Sequence, residues 1–395
     1  MLPLITRWTV GQNEGVTFPH GFCAAAARAG LKAQGDDVAL ICCASGAAAA
    51  GVFTTNQVAA PCVEWTRRVI AGGTVRAVVV NAGNANACNG PAGVEDNLAM
   101  ARLAAESVNA RPEEVCVAST GVIGHPLQLD LVSRGIAVSA ASLGRGEERD
   151  AAVARAIMTT DTVPKYAAVE LESDLWQGAV RLGGMCKGSG MIAPNMATML
   201  AYITTDAAAP ADLLQRALER AVAVSFNSIT VDGDTSTNDM CLLLAGGNGP
   251  AISDVEFEDF SEAVTRLCVT LAKKIARDGE GATKLIEVAV YGAATEQDAR
   301  QIARTIAESP LVKTAIFGCD PNWGRILMAV GRAGPKIDAN RVDVSIGPER
   351  VCCAGAAVPF NRETAHQHLR GDPVRILVDL NLGCGASTFW TCEYS

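Results

Sequence analysis

Aromatic side chains make up only 5% of the 395 residues, and histidine occurs four times, so any core must be built from Ala, Val, Leu and Ile. Charged residues are also few, at 19%. The 33 basic and 42 acidic side chains leave a net charge of −9, the wrong sign for a general nucleic-acid binder, which needs Lys and Arg to displace phosphate counterions. No apolar run is long enough to span a bilayer. The nearest, DVALICCASGAAAAGVF (37–53), is interrupted by Ser45, Gly46 and Gly51, where roughly 20 continuous apolar residues are required. The first residues, MLPLITRWTVGQNEG, show no apolar signal core with a small-residue cleavage site. There is no solenoid-period repeat and no Gly/Ser- or Pro-rich linker. The fourteen cysteines contain no C-x-x-C, and the adjacent pairs Cys42–Cys43 and Cys352–Cys353 are poorly placed for bridging. Reduced, mostly buried thiols in a cytoplasmic protein, with no metal site, are the expectation.

The familiar catalytic signatures are missing as well. No H-E-x-x-H is present, and His366-x-His368 lies on a polar helical stretch that reads as solvated surface rather than a metal site. The absence of G-x-S-x-G argues against an α/β-hydrolase. Without a Walker A loop or G-x-G-x-x-G, nucleotide binding lacks its phosphate cradle. GEGATK (279–284) is only superficially like one, because it precedes a strand instead of opening a helix.

What the chain does contain is 49% hydrophobic residues and 38 glycines, in short apolar runs alternating with Ala-rich amphipathic stretches. At roughly 150 residues per domain the length suggests two or three domains. VRAVVVNAG (75–83) and EEVCVAST (113–120) read as buried strands, separated by a helix over 94–110. Helices are also expected at 149–158, 210–226 and 260–278, and strands at 285–293, 341–347 and 374–383. Strand and helix mix in both halves, so the class is α/β or α+β. The sharpest punctuation lies near the midpoint. There GGMCKGSGMIAPNMATMLAYITTDAAAP (183–210) passes from a Gly-, Pro- and Asn-rich loop into an apolar strand.

Threonine clusters at 119–121, 158–165, 196–200, 202–206 and 232–239, and at most of these places a β-branched strand residue or a cap suffices as explanation. Thr198 differs, because it follows the small Ala197 where the loop meets the strand. A threonine hydroxyl is a weak nucleophile and needs a base. With histidine so scarce, one solution is an N-terminal amine. If the Ala197–Thr198 peptide bond opens, the new α-amine titrates at about 7.7–8.0 and can take the proton from its own Oγ. A strained peptide would assist attack of Oγ on the preceding carbonyl.

Around this segment the residues fit a known pattern. KGSGMIAPNMATMLAYITTDA (187–207) closely resembles the self-cleavage segment of the ornithine acetyltransferase family, the ArgJ-type glutamate N-acetyltransferases of arginine biosynthesis. NAGNANACNG (81–90), ASTGVIGHPL (118–127), AIMTTDTVPK (156–165), SFNSITVDGDTSTND (225–239), DGEGATKLIEV (278–288) and SPLVKTAIFGCDPNWGRILMAVGR (309–332) follow in that family's order. The resemblance implies a layered α/β sandwich of that family's own topology, self-cleaving and N-terminal-nucleophile-like. It implies cleavage between Ala197 and Thr198 into an α chain (1–197), carrying the oxyanion-hole loop, and a β chain (198–395) beginning at the nucleophile. It implies that Thr120 and Gly121 form the oxyanion hole, and that Lys187, Glu280 and a threonine of the TTD at 159–161 bind substrate alongside Thr198. Thr159 is favoured over Thr160 for that last role. A cation at Lys187 would also favour the neutral amine needed as base.

The implied reaction is ping-pong acyl transfer, from N-acetylornithine to Thr198 with loss of ornithine, then from acetyl-Thr198 to glutamate. No cofactor is required, and acetyl-CoA is at most an alternative donor. The implied assembly is a heterotetramer of two α and two β chains. Members of the family usually continue past WTCEYS into a short strand whose Asn and Ser/Thr contact substrate. With this sequence ending at Ser395, self-cleavage is expected to be unaffected and substrate affinity is the property at stake. Two other readings are an N-terminal-nucleophile amidase or aminopeptidase and an inactive homologue.

Overall fold

A computed structural model of the protein describes residues 6–11, 13–174, 176, 178–193 and 199–394. The chain forms two compact units, each assembled from discontinuous pieces. One comprises Met1–Gly188, Asn195–Asn227 and Thr235–Ala272, the other Ser189–Pro194, Ser228–Asp234 and Lys273–Ser395.

The first unit contains strands β1 (Thr6–Gly11), β2 (Phe22–Ala27), β3 (Val38–Phe53), β4 (Val75–Asn84), β5 (Val115–Val122), β6 (Lys165–Ser173), β7 (Ala179–Lys187), β8 (Leu200–Thr205) and β9 (Met240–Ala245). Its helices are α1 (Pro61–Ala71), α2 (Gly90–Ser107), α3 (Leu129–Ala141), α4 (Glu147–Ala156), α5 (Ala211–Ala223) and most of α6 (Phe257–Arg277). The strands form one nine-stranded sheet in the order β1-β6-β7-β8-β9-β3-β4-β5, with β2 on β3. β3 is the apolar run that falls short of a membrane helix. Its first part pairs with β2 and β4, and after an irregularity between Cys42 and Ala47 its last six residues pair with β9. Ser45 and Gly46, with Gly46 at φ 82°, supply that bend, so a single strand serves two parts of the sheet.

Every residue of β8 (LAYITT) and β9 (MCLLLA) is buried, as expected of central strands covered on both faces. The helices turn their apolar stripes inward. In α5 the stripe is Leu213, Leu214, Ala217, Leu218, Ala221 and Val222, at the three- and four-residue spacing of one helical face. β4 and β5 run parallel with α2 as the crossover. That helix begins four residues before the expected 94–110, because Pro91 suits a first helical turn, and it stops at Ser107 where Asn109 turns to φ 54°. β5 starts two residues later than its pattern suggested, since Pro112–Glu114 makes a short 3₁₀ turn.

The second unit contains β10 (Leu285–Ala293), β11 (Asp343–Ile346), β12 (Glu349–Cys353), β13 (Ala356–Ala357), β14 (Val374–Asp379) and β15 (Gly385–Cys392), with α7 (Glu296–Ala307), α8 (Pro310–Phe317), α9 (Trp323–Gly331) and α10 (Arg362–Arg370). Its six strands take the order β13-β12-β11-β14-β10-β15 over a core that includes Val288, Ile302, Ile376 and Phe389. Both units are therefore α/β in construction, helices layered on sheets. GEGATK does lead into a strand, β10, with the Thr283 and Lys284 N–H groups donating to Glu393. His368 lies on α10 and its Nε2 accepts from the Arg375 N–H at 2.8 Å. All fourteen cysteines are free thiols, nine of them buried. Among the described residues no helix is long and apolar enough to cross a membrane, and no cluster of His, Cys, Asp or Glu is arranged to hold a metal ion.

Candidate active site

Strand register in the first unit decides which residues meet. β7 and β8 are antiparallel with Lys187 opposite Leu200, and β8 and β9 are parallel with Leu200 opposite Met240. The end of β7 and the starts of β8 and β9 are consequently side by side. Residues far apart in sequence, at 187, 199 and 239, become neighbours. Ala197 and Thr198, the expected cleavage pair and nucleophile, lie outside the described residues.

Lys187 is 2% exposed and its Nζ lies 3.3 Å from the Thr159 hydroxyl. Burial pushes its ammonium below the ordinary lysine value, with Asp161 and Asp239 pulling the other way. Asp161 organises the rest of this corner. Its Oδ1 accepts from Lys165 Nζ at 2.6 Å and from the Gly188 N–H at 2.7 Å, and its Oδ2 accepts from the Thr159 N–H at 3.1 Å. Burial opposes the charged form, but the ammonium groups of Lys165 and Lys187 and the hydrogen bonds together hold Asp161 below the usual carboxylate range. Two expected binding residues, Thr159 and Lys187, are thus brought together, whereas the Thr160 side chain is exposed.

Asp161 and Lys165 are both essentially inaccessible, at 0% and 1% side-chain exposure. Breaking a buried pair from one side strands the other charge, so Asp161→Asn is expected to cost about 3–5 kcal/mol in urea unfolding at pH 7. A carboxyl whose folded value is depressed contributes stability above its unfolded value and loses it as pH falls through the folded one. The gap between wild type and variant should therefore persist at about pH 5 and close below about pH 4, where the unfolded-state carboxyl titrates. A gap that stays constant to lower pH would contradict this reading of the pair.

Thr120 and Gly121 lie near the end of β5. Thr120 is 4% exposed, and Gly121 sits at φ 131° opposite Gly83 of β4. A Cβ on Gly121 would run into the Gly83 carbonyl carbon and reach the Asn84 nitrogen at 2.5 Å, so only glycine fits this approach. The turn is braced by asparagines. Asn238 Nδ2 donates to the carbonyls of Ala85 at 2.7 Å and Ser119 at 2.9 Å, and Asn81 Nδ2 donates to the Asn84 carbonyl at 2.8 Å. A cavity of about 480 Å³ opens beside it, lined by Gly83, Asn84, Val122, His125 and Leu127 among others.

The reading of the sequence missed residues 238 and 239, which it took only as the end of a Thr-rich stretch. Asn238 ties the β5 turn to the start of β9, and the neighbouring Asp239 accepts the Met199 N–H at 2.8 Å. The available signal was a dense polar string, DGDTSTND, breaking directly into the wholly apolar MCLLLA.

In the second unit, Glu280 is exposed just beyond α6, and its N–H donates to the Ser189 carbonyl at 3.2 Å. Its carboxylate lies close to where a Cβ on Gly190 would be, so a side chain at 190 would displace it. Asp232 holds the same loop through the N–H groups of Met191 at 2.5 Å and Ile192 at 2.9 Å, with Met191 at φ 58°.

Comparison with known proteins places the chain in a family. The model of the ArgJ family matches residues 23–395. The "Arginine biosynthesis bifunctional protein ArgJ" of Symbiobacterium thermophilum is 51% identical over 394 residues, covering 98% of this chain and 96% of that protein. The protein of the same name from Thermus thermophilus is 47% identical over 380 residues, covering 96% of each. Among solved structures, a chain of the ornithine acetyltransferase of Mycobacterium tuberculosis, complexed with ornithine, is 40% identical with a TM-score of 0.43. The likeness covers 48% of this chain and 98% of that one.

Proposed function

The chain belongs to the ArgJ family, and from that premise we propose that it transfers an acetyl group from N-acetylornithine to glutamate through an acetyl-Thr198 intermediate. Opening of the Ala197–Thr198 bond supplies the α-amine that accepts the Thr198 hydroxyl proton. Thr198 Oγ attacks the acetyl carbonyl, and the negative charge that develops on the carbonyl oxygen is stabilised by donors of Thr120 and Gly121. Each such donor contributes on the order of 3 kcal/mol in a transition state. Ornithine leaves as the amine, taking the proton held on the Thr198 nitrogen. The amine of glutamate then attacks the ester, and Thr198 Oγ recovers its proton. Lys187 and Thr159 position the substrate, and Glu280 takes a substrate ammonium.

The observation that carries this reading is the β7–β8–β9 register. It sets the buried Lys187, already on Thr159, opposite Leu200, two residues after Thr198. A dry, charged corner of this kind suits acyl transfer to an amine, because water would otherwise hydrolyse the ester. The two fragments from cleavage would stay joined, since β7 and β8 are hydrogen-bonded neighbours in one sheet. The proposed assembly is two copies of each fragment.

The test is to incubate the protein with N-acetylornithine and glutamate and follow the products by mass spectrometry. N-acetylglutamate and ornithine should appear in equal amounts. Free acetate or cleaved peptides in place of N-acetylglutamate would reject the assignment. Acetyl-CoA supplied as sole donor, in a parallel reaction, decides whether it also acylates Thr198.

A further inference from the structure

Asp239 is 1% exposed, and its two oxygens are treated unequally. Oδ1 accepts the Met199 N–H at 2.8 Å, while Oδ2 is buried without a hydrogen-bond partner. Leaving a buried acceptor unpaired costs about 1–3 kcal/mol. Burial pushes the carboxyl well above its ordinary range, against the pull of the Met199 N–H, of Lys187 and of the nearby Ser236 hydroxyl and N–H. An apolar residue of similar shape would avoid the desolvation of a carboxyl but would strand the buried Met199 N–H, so the reason for an aspartate lies in what it holds.

The partner of Oδ1 supplies the reason. Met199 N is the nitrogen of the peptide group that joins Thr198 to Met199, so whatever fixes it fixes the attachment of Thr198 to the sheet. The neighbouring backbone is pinned by register, with Leu200 opposite both Lys187 and Met240, and by the Met240 N–H donating to the Met199 carbonyl at 3.3 Å. Asp239 itself is held by main chain on its other side, where the Thr54 N–H donates to its carbonyl at 3.0 Å. The adjacent Asn238 bonds the Ser119 carbonyl, one residue before Thr120. Two consecutive side chains of one segment therefore fix the oxyanion turn and the strand start that follows Thr198.

We propose that Asp239 is the positioning residue of the nucleophile: by clamping the Met199 N–H it sets Thr198 in register with the Thr120–Gly121 turn, for opening of the backbone and for acyl transfer alike. The proposal rests on Thr198 being the nucleophile. Misplacing a reacting group by about 1 Å lowers rates about 100-fold. What the role requires of Asp239 is an acceptor in the right place, which asparagine also supplies.

The experiment follows the splitting of full-length protein into two chains over time, and kcat and KM for N-acetylornithine per mole of split chain. Wild type, Asp239→Ala and Asp239→Asn are compared, with thermal unfolding of each as the control. Asp239→Ala is expected to slow splitting, and to lower kcat, by about 100-fold with KM within about threefold, and Asp239→Asn to stay within about tenfold of wild type. If Asp239→Ala does not fold, Asp239→Leu, which keeps the branched shape and removes both acceptors, carries the same expectation. Wild-type rates in the Ala or Leu variant would overturn the proposal. So would an Asn variant as slow as Ala, because the carboxyl would then act through its proton or charge. A rise in KM with kcat unchanged would also overturn it, because Asp239 would then bind substrate. Wild-type protein that neither splits nor exchanges acetyl would instead reject the nucleophile assignment itself, so the two failures are distinguishable.

Discussion

Replacing Thr198 by alanine is expected to leave one polypeptide of 40.9 kDa on a denaturing gel and by intact mass, where wild type is expected to give two fragments. Acetyl exchange should fall by at least about 10⁴-fold, the usual loss when a covalent nucleophile that works with its own base is removed. The two effects share one cause. In the proposed mechanism the same Oγ attacks the Ala197 carbonyl during maturation and the acetyl carbonyl during turnover, and alanine has no atom for either attack. Thr198→Ser separates them, because it retains the oxygen and should split and turn over at reduced rates. Normal exchange by an unsplit alanine variant would show that neither the hydroxyl nor the released amine is needed, and the mechanism would have to be abandoned.

Gly121→Ala carries the other large expected effect. At φ 131° a β-carbon is strained wherever it points, and here it points into the backbone of β4 at Gly83 and Asn84. Backbone strain and overpacking contribute about 1–3 kcal/mol each, so a loss on the order of 4 kcal/mol in urea unfolding is expected. Relief requires β4 and β5 to separate at the point where the proposed oxyanion donors are set, so kcat should fall about 100-fold or more even in the molecules that remain folded. Gly124→Ala is a nearby control. Gly124 also has a positive φ, of 82°, but no atom lies within 4 Å of its Cβ position. It should be mildly destabilised by its φ alone, with acetyl exchange preserved. Equal loss of activity in both variants would show that φ strain, not the approach of β4 to β5, governs the site.

Much of the secondary structure was legible because it obeys local rules. α5 displays its stripe in sequence, and β4 and β8 are apolar runs of strand length. Element ends were less legible where a cap or a left-handed residue sets them, as at Gly90 and Asn109. The long run at 37–53 shows the limit of local reasoning. Its broken hydrophobicity ruled out a membrane helix, but that one strand bends at Ser45–Gly46 and pairs with β2, β4 and β9 depends on residues up to about 200 positions away.

The amino-acid sequence by itself determined the chemical inventory. Four histidines and no metal or nucleotide motif left hydroxyl chemistry with an unusual base, and the ordered strings around Thr198 named the residue types of the site. Only the tertiary structure decided which of them stand together. Lys187, Met199 and Asp239 converge because β7–β8 is antiparallel and β8–β9 parallel, and the sequence separation of 40 between Met199 and Asp239 conceals that adjacency. Strand pairing is a long-range choice made by the whole core, so it leaves no local trace in the spacing of polar residues. Asp239 therefore read as the end of a threonine-rich loop until the register put its carboxylate on the strand start next to Thr198.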